Sequence, residues 1–188
     1  MQKQRLIIGI TGASGIQYGV HLLKHLQNFP IETHLIVTKS AQRVREYETD
    51  LSAKDLNQLA DKHYAIEDIA CPVASGSYQT LGMIIAPCSM HSLSEIAHGI
   101  SSNALTRAAD VILKERRKLV LLVRETPLHL VHLENMLKVT QMGGIIAPPV
   151  PAFYQQPKTI EDIIEHTVGR VLDLFDLNVD WVNRWGEK

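Results

Sequence analysis

Aromatic side chains are scarce in this sequence. Phe, Trp and Tyr make up 5% of 188 residues, which excludes a single-strand nucleic-acid platform built on stacked rings. Neither sign of charge is in excess. The 19 Lys and Arg are matched by 20 Asp and Glu, so no net field gathers nucleic acid or anionic lipid. Cys71 and Cys88 are the only cysteines. They make neither a disulfide framework nor a zinc site, and they fit reduced thiols in a cytoplasmic protein. No apolar run approaches the roughly 18 residues of a membrane span. Met1 to Arg5 is short and polar, without the apolar core of a signal peptide. Internal repeats and low-complexity tracts are also missing. What the chain does have is apolar residues, 45% of the total. That is enough to bury the core of one domain over residues 1–188.

Short apolar runs alternate with helical patterns. Arg5 to Ile10 reads as a strand buried on both faces, Leu81 to Ala86 as another buried strand, and Ile31 to Val37, Lys118 to Val123 and Gly143 to Ala147 as further strands. Between and after them, helices are expected around Val20 to Leu26, over Ser40 to Tyr47, after an N-cap at Ser52, over Met90 to His98, over Leu105 to Arg117 and over Thr159 to Phe175. One more helix is expected to open at Thr126-Pro127, with Thr126 as N-cap and Pro127 at the first helical position. This alternation predicts an α/β fold, a parallel sheet with helices on both faces. Ligands of such sheets bind at the carboxyl ends of the strands. Thr11 to Ser14, Thr38, Pro87 to His91 and Arg124 to Thr126 all follow strands.

Three of these segments carry chemistry. Gly9-Ile10-Thr11-Gly12-Ala13-Ser14-Gly15 lets backbone approach a phosphate at a helix N-terminus, or else is only a tight turn. It is neither the G-x-G-x-x-G fingerprint nor a Walker A loop. Ala86-Pro87-Cys88-Ser89-Met90 admits a thiol nucleophile at Cys88, a cofactor held by backbone amides and the Ser89 hydroxyl, or an ordinary loop. No His or basic group stands ready to activate the thiol. Arg124-Glu125-Thr126-Pro127 sets a guanidinium and a carboxylate at a strand end, either to bind an anion and move a proton or as a structural ion pair. His129 and His132 share a helix face without an evident third metal ligand, and read as packing or solvent-facing residues.

Together these blocks resemble the UbiX flavin prenyltransferases. Gly12-Ala13-Ser14-Gly15, Ser75-Gly76-Ser77, Ala86-Pro87-Cys88-Ser89-Met90, Leu105 to Asp110, Leu113 to Arg117, Arg124 to Leu128, Pro149 to Tyr154 and Gly169-Arg170 are similar to family blocks in the same order, from about Leu6 to Trp185. The resemblance implies a flavodoxin-like or Rossmann-like three-layer fold in a single domain. It implies transfer of a dimethylallyl group from dimethylallyl phosphate to N5 and C6 of reduced FMN. The product, prenylated FMN, serves UbiD-type decarboxylases in ubiquinone or aromatic-acid metabolism. It implies no metal, and a homo-oligomer, typically a dodecamer, with sites between subunits. It places Gly12, Ala13, Ser14, Thr38, Cys88, Ser89, Met90, His91 and Arg124 at FMN, with His91 where relatives often carry Lys. It places Ser75, Arg107, Lys114, Tyr154, Arg170 and Trp185 at the prenyl donor, with Asp110 placed to orient Arg107 or Lys114. Ser14, Glu48, Glu125 and Lys114 are its catalytic candidates.

Two rivals make different demands. The flavin-dependent cysteine decarboxylases share fold and FMN but need a His before the third predicted strand. The stretch Ala74 to Gln79 has none, and hydroxyls cannot replace imidazole near neutral pH. A non-catalytic flavin carrier would need no Lys114, Glu125, Tyr154 or Arg170.

Overall fold

The computed structural model describes residues 3–182, 184 and 186. Among these, the strands are β1 (Gln4–Ile10), β2 (Ile31–Val37), β3 (Lys62–Tyr64), β4 (Gly82–Cys88), β5 (Lys118–Val123) and β6 (Ile145–Ile146). All neighbours pair in parallel, in the order β3-β2-β1-β4-β5-β6. This is the doubly wound order of dinucleotide-binding sheets. Without the three-residue edge strand β3 it becomes the flavodoxin order. The helices are α1 (Ile16–Leu26), α2 (Lys39–Glu48), α3 (Ala53–Gln58), α4 (Met90–Ala97), α5 (Ala104–Lys114), α6 (Leu130–Gln141) and α7 (Ile160–Asp173). No helix among the described residues is long and apolar enough to cross a membrane.

The strands are apolar on both sides because helices cover both. Alternate side chains leave β1 in opposite directions. Leu6, Ile8 and Ile10 join Leu22, Leu23 and Leu26 of α1, Leu56 of α3, and Val168 and Leu172 of α7 in one core layer. Ile7 joins Met83, Ile85, Leu93 of α4, Leu105 and Ile112 of α5, and Val139 of α6 in the other. Helix α5 buries Leu105, Ala108, Ala109 and Ile112, the i, i+3, i+4, i+7 stripe of a core-facing helix. Each fully buried Leu or Ile of that stripe contributes about 2 kcal/mol of transfer free energy. Gly19 lets α1 lie directly on the sheet, since a Cβ there would run into the Ala86 carbonyl oxygen and Ile10.

Two local expectations need correction, and one strand is not expected from sequence at all. Strand β3 escapes a pattern reading because it is three residues long with two of them exposed. Helix α5 stops at Lys114, not Arg117. Arg116 takes the left-handed conformation (φ 57), and Arg116 N and Arg117 N donate to Leu113 O and Ile112 O. That is a helix-ending Schellman motif without the glycine that usually announces it. Helix α6 opens at Leu130 with His129 as N-cap, not at Thr126-Pro127. The Thr126 amide donates instead to Glu125 Oε1 at 2.9 Å, a side-chain bond that competes with helix initiation.

Candidate active site

The carboxyl tips of β1 and β4, where the chain order reverses, are tied together by one residue. Thr11 donates to Pro87 O through its amide (3.2 Å) and hydroxyl (2.8 Å), and its oxygen accepts from Ser89 N at 2.7 Å. Gly12, Ala13 and Ser14 follow. Among the described residues no acceptor meets their three amides, so these donors stay open to an anion. The next two amides are taken. Glu48, from the end of α2, accepts from Gly15 N (2.8 Å) and Ile16 N (3.1 Å). A carboxylate thus caps α1, where helix dipole and unsatisfied donors favour negative charge. An anion at this turn would therefore find only its first three amides open, because Glu48 occupies the next two.

That cap yields a stability prediction. Gly15 sits at φ 102 and offers α1 no side-chain cap, so Glu48→Ala leaves both amides without their partner. Urea melting should show a loss of about 1–2 kcal/mol, the scale of a lost helix cap. An unchanged midpoint would mean that water replaces the carboxylate at no cost.

Helices α2 and α4 also begin at this rim. Thr38 caps α2, accepting from Ala41 N at 3.2 Å, and Ser89 caps α4, accepting from Ser92 N at 3.3 Å. Three helix N-termini therefore converge on the switch point. Gly12 makes the approach possible, because a Cβ on it would overlap the Ser40 side chain. His91 is exposed, with Nδ1 3.8 Å from Glu95. It lines a cavity of about 340 Å³ with Thr38, Ser40, Ile66, Glu67 and Asn103. Met90 is half-buried against the second core layer.

Cys88 points the other way. It is fully buried, and burial pushes its thiol up to about 12. The nucleophile reading is excluded at neutral pH, and only the Cys88 backbone reaches the rim, its carbonyl accepting from Arg124 N at 3.2 Å. Burial also raises the Cys71 thiol. Native protein treated with Ellman's reagent at pH 8 should release almost no thionitrobenzoate, and denatured protein two equivalents per chain. Rapid reaction of one thiol in the native state would contradict the burial of both.

Arg124 and Glu125 are both exposed, and no ion pair joins them among the described residues. The structural ion pair is therefore not made, and one chain does not enclose a dry cleft around them. Arg124 does face α1. Burial pushes the Tyr18 phenol up, and the Arg124 charge opposes that shift. Tyr18, beside Arg124 at this rim, is a residue that sequence reasoning passed over, and Thr11, read there only as following a strand, proves to tie the two strand tips together. Tyr18 could have been found as the residue one helical turn beyond Ser14.

The donor-side candidates fall into two groups. On the α5 face, Arg107 pairs with Asp110 at 2.6 Å and Lys114 with Glu115. Ser75 meets Ser77 at 3.0 Å in a loop held to the end of α5 by Arg117, which donates to Gly76 O and Tyr78 O. A cavity of about 430 Å³ lies beside Thr106, Asp110, Lys114 and Met142. On the α7 face, Tyr154 Oη meets His166 Nε2 at 3.2 Å. Arg170 pairs with Asp173 at 2.5 Å. Hydrogen bonds from Arg184, and also from Arg170, hold the Asp173 carboxyl below its ordinary range. The sheet separates the two groups, so one chain does not gather them around one phosphate. Trp185 lies outside the described residues. Helix α6 meanwhile exposes Leu130, Leu133 and Leu137 on its outer face.

A parallel sheet with three helix N-termini and free amides at its switch point defines a nucleotide- or flavin-binding α/β protein. The sequence pattern of the flavoprotein family matches residues 1–172, and the chain belongs to that family. Its relatives narrow the assignment. The chain is 52% identical over 182 residues to the flavin prenyltransferase UbiX of Neisseria meningitidis serogroup B, covering 97% of this chain and 96% of that protein. It superposes with TM-score 0.97 and 47% identity on AnUbiX (PadA1) in complex with FMN and dimethylallyl pyrophosphate, covering 99% of each. It also superposes with TM-score 0.96 and 48% identity on a dodecameric FMN-dependent UbiX-like decarboxylase from Escherichia coli O157:H7, covering 98% and 100%. The chain is a member of the UbiX flavin prenyltransferases. A cysteine decarboxylase, TvaF, matches at TM-score 0.61 with 15% identity and shares the fold alone.

Proposed function

We propose that this chain transfers a dimethylallyl group from dimethylallyl phosphate to N5 and C6 of reduced FMN, as substrate, and releases prenylated FMN to a UbiD-type decarboxylase. The observation that carries the reading is near-full-length identity of about half to flavin prenyltransferases. The anion-ready amides at the β1–β4 switch point and the cations of α5 and α7 support it. FMN binds with its phosphate on the amides of Gly12, Ala13 and Ser14, near Thr38, Ser89, Met90 and His91, with Arg124 over the rim. The buried, unpaired cysteines suit a reducing cytoplasm.

Reaction breaks the allylic C–O bond, forms a bond to N5, and sends the N5 proton toward the departing phosphate. Ring closure at C6 is proton-neutral, since the alkene gains one proton and C6 loses one. Arg107, Lys114, Tyr154 and Arg170 stabilise the departing phosphate without a metal. Ser75 stands by the end of α5 as a further donor contact, and Ser14, Glu48 and Glu125 hold or move protons near N5. Because the sheet divides these groups, a complete site needs residues from a second copy. A homo-oligomer, with a dodecamer as the form borne by one relative, supplies them.

The decisive experiment incubates the protein anaerobically with reduced FMN and dimethylallyl phosphate, then weighs the flavin by mass spectrometry. A gain of one isoprene unit is expected, and an unchanged flavin sinks the proposal. A parallel run with the diphosphate ranks the donors. Lys114→Ala and Arg170→Ala should each raise the donor KM by roughly tenfold or more, the scale of a lost charge-assisted bond. FMN affinity should hold, and added Mg²⁺ should rescue neither. Unchanged donor saturation in both variants would remove these residues from the phosphate site.

A further inference from the structure

Helices α1 and α7 lie side by side against the first core layer, and three polar side chains meet between them. His21 and His25 are four apart on α1 and project from one face. Glu165 of α7 reaches both. Its Oε1 is 2.6 Å from His21 Nδ1, and its Oε2 is 2.5 Å from His25 Nε2. The three donor atoms all lie within 4.8 Å of one another. The cluster is largely sheltered, with side chains 16% (His21), 22% (His25) and 31% (Glu165) exposed. The His25 ring stacks on Trp181, centroids 4.2 Å apart. A cavity of about 280 Å³ beside Glu165, His166, Lys158, Asp162 and Trp181 opens onto it.

We propose that His21, His25 and Glu165 form a binding site for a divalent transition metal of the Zn²⁺ class, which pins α7 and the chain around Trp181 to α1. Two imidazoles and a carboxylate are a common zinc donor set, bound at about 2.0–2.2 Å. Tetrahedral ligands at that radius sit about 3.3 Å apart, so the carboxylate oxygens must withdraw by less than about 1 Å, and donor atoms as far apart as 4.8 Å must close by up to about 1.5 Å, to hold the ion. Without metal, each carboxylate oxygen pairs with one imidazole N–H. Binding puts the cation where those two protons sat, and each proton moves to the other nitrogen of its own imidazole, which stays neutral as a ligand must. The fourth position would take a water, and the cavity reaches the cluster through Glu165. The site takes no part in breaking or making bonds. It fixes the helix that follows the Gly12–Ser14 turn against the helix that carries Arg170. The proposal rests on these side chains and holds whatever the reaction is. The second His pair, His129 at the α6 N-cap and His132 in its first turn, has rings 3.6 Å apart, but among the described residues no carboxylate completes it. It therefore serves as the control.

Untagged, chelator-stripped protein should be titrated with Co²⁺ alone and followed by visible absorption. The expected result is one Co²⁺ per chain with the intense bands of a tetrahedral site, displaced by one equivalent of Zn²⁺. Zn²⁺ should also raise the melting temperature. Glu165→Gln and His25→Ala should weaken Co²⁺ by at least roughly tenfold, since changes merely outside a metal's ligand shell already cost that much. The His129→Ala/His132→Ala protein should bind as wild type. Metal-free Glu165→Gln, nearly isosteric, should melt within a few degrees of wild type, which shows that its loss of binding is not unfolding. No saturable band up to millimolar Co²⁺, an unchanged affinity in Glu165→Gln, or loss confined to the His129/His132 variant would overturn the site. The first of these, joined to a lower melting temperature in Glu165→Gln, would assign the cluster to a hydrogen-bonded triad only.

Discussion

Glu125→Gln should lower prenyl transfer by roughly a hundredfold or more, the usual scale of general acid–base catalysis, while FMN still binds. Glu125 stands two residues beyond β5, next to Arg124 on the rim that carries the anion loop. Its Oε1 accepts from Thr126 N. A glutamine oxygen can accept the same bond, so the turn keeps its shape and only the proton capacity is lost. In one chain the carboxylate is exposed. Covered by a neighbouring subunit it would enter a drier cleft, where proton transfer to departing phosphate or from the flavin is more strongly coupled to charge. Single-turnover assays with preloaded reduced FMN measure the effect, and urea melting of the same variant measures stability. Wild-type turnover in Glu125→Gln would end the proton-transfer role. Lost stability with full turnover would make Glu125 a turn-former and nothing more.

The double substitution Leu133→Glu/Leu137→Glu should break the assembly and take the activity with it. Helix α6 turns Asn135 and Val139 to the core and leaves Leu130, Leu133 and Leu137 exposed by half or more. That is an i, i+3, i+7 stripe on the outer face. Contiguous apolar surface of this kind marks an interaction site on a folded protein, and one relative of the same fold is a dodecamer. Charges placed on the stripe should yield a small species by light scattering. Because the donor-side cations lie on two faces of one chain, that species should lose at least about a hundredfold in turnover, the cost of misplacing a reacting group. A small species with full turnover would show that one chain completes its own site. An intact large assembly would show that α6 faces solvent and that another surface makes the contacts.

Much of this molecule is legible along the chain, and particular residues show why. Leu6 to Ile10 and Met83 to Ala86 are apolar without interruption, which only a strand covered on both faces tolerates. Ser52 and Thr159 lie where capping chemistry puts them, each reciprocated by an Asp three residues on. Thr11 to Ser14, Thr38, Ser89 and Arg124 follow strands, and a parallel sheet brings strand ends to one rim. Periods, the cap at Ser52 and the alternation of strands with helices are local or nearly so, and sequence alone determined them. The family resemblance, carried by ordered blocks, determined the class of chemistry.

Tertiary structure decided the rest, because it depends on residues far apart in sequence meeting in space. Glu48 is 33 residues from Gly15 and caps α1 only because α2 ends beside the α1 N-terminus. Cys88 reads along the chain as part of a loop after a strand, where a thiol nucleophile is one of three readings, yet it ends β4 and its thiol turns into the core. Arg107 and Lys114 share a helix face as their spacing requires, but Tyr154 and Arg170 lie across the sheet from them, which no spacing reveals. His21 and His25 are an ordinary helical pair until α7 lays Glu165 between them, 140 residues from His25. Spacing fixes which side chains share a helix face or a strand end. Which faces then meet is set by packing the two core layers around the sheet.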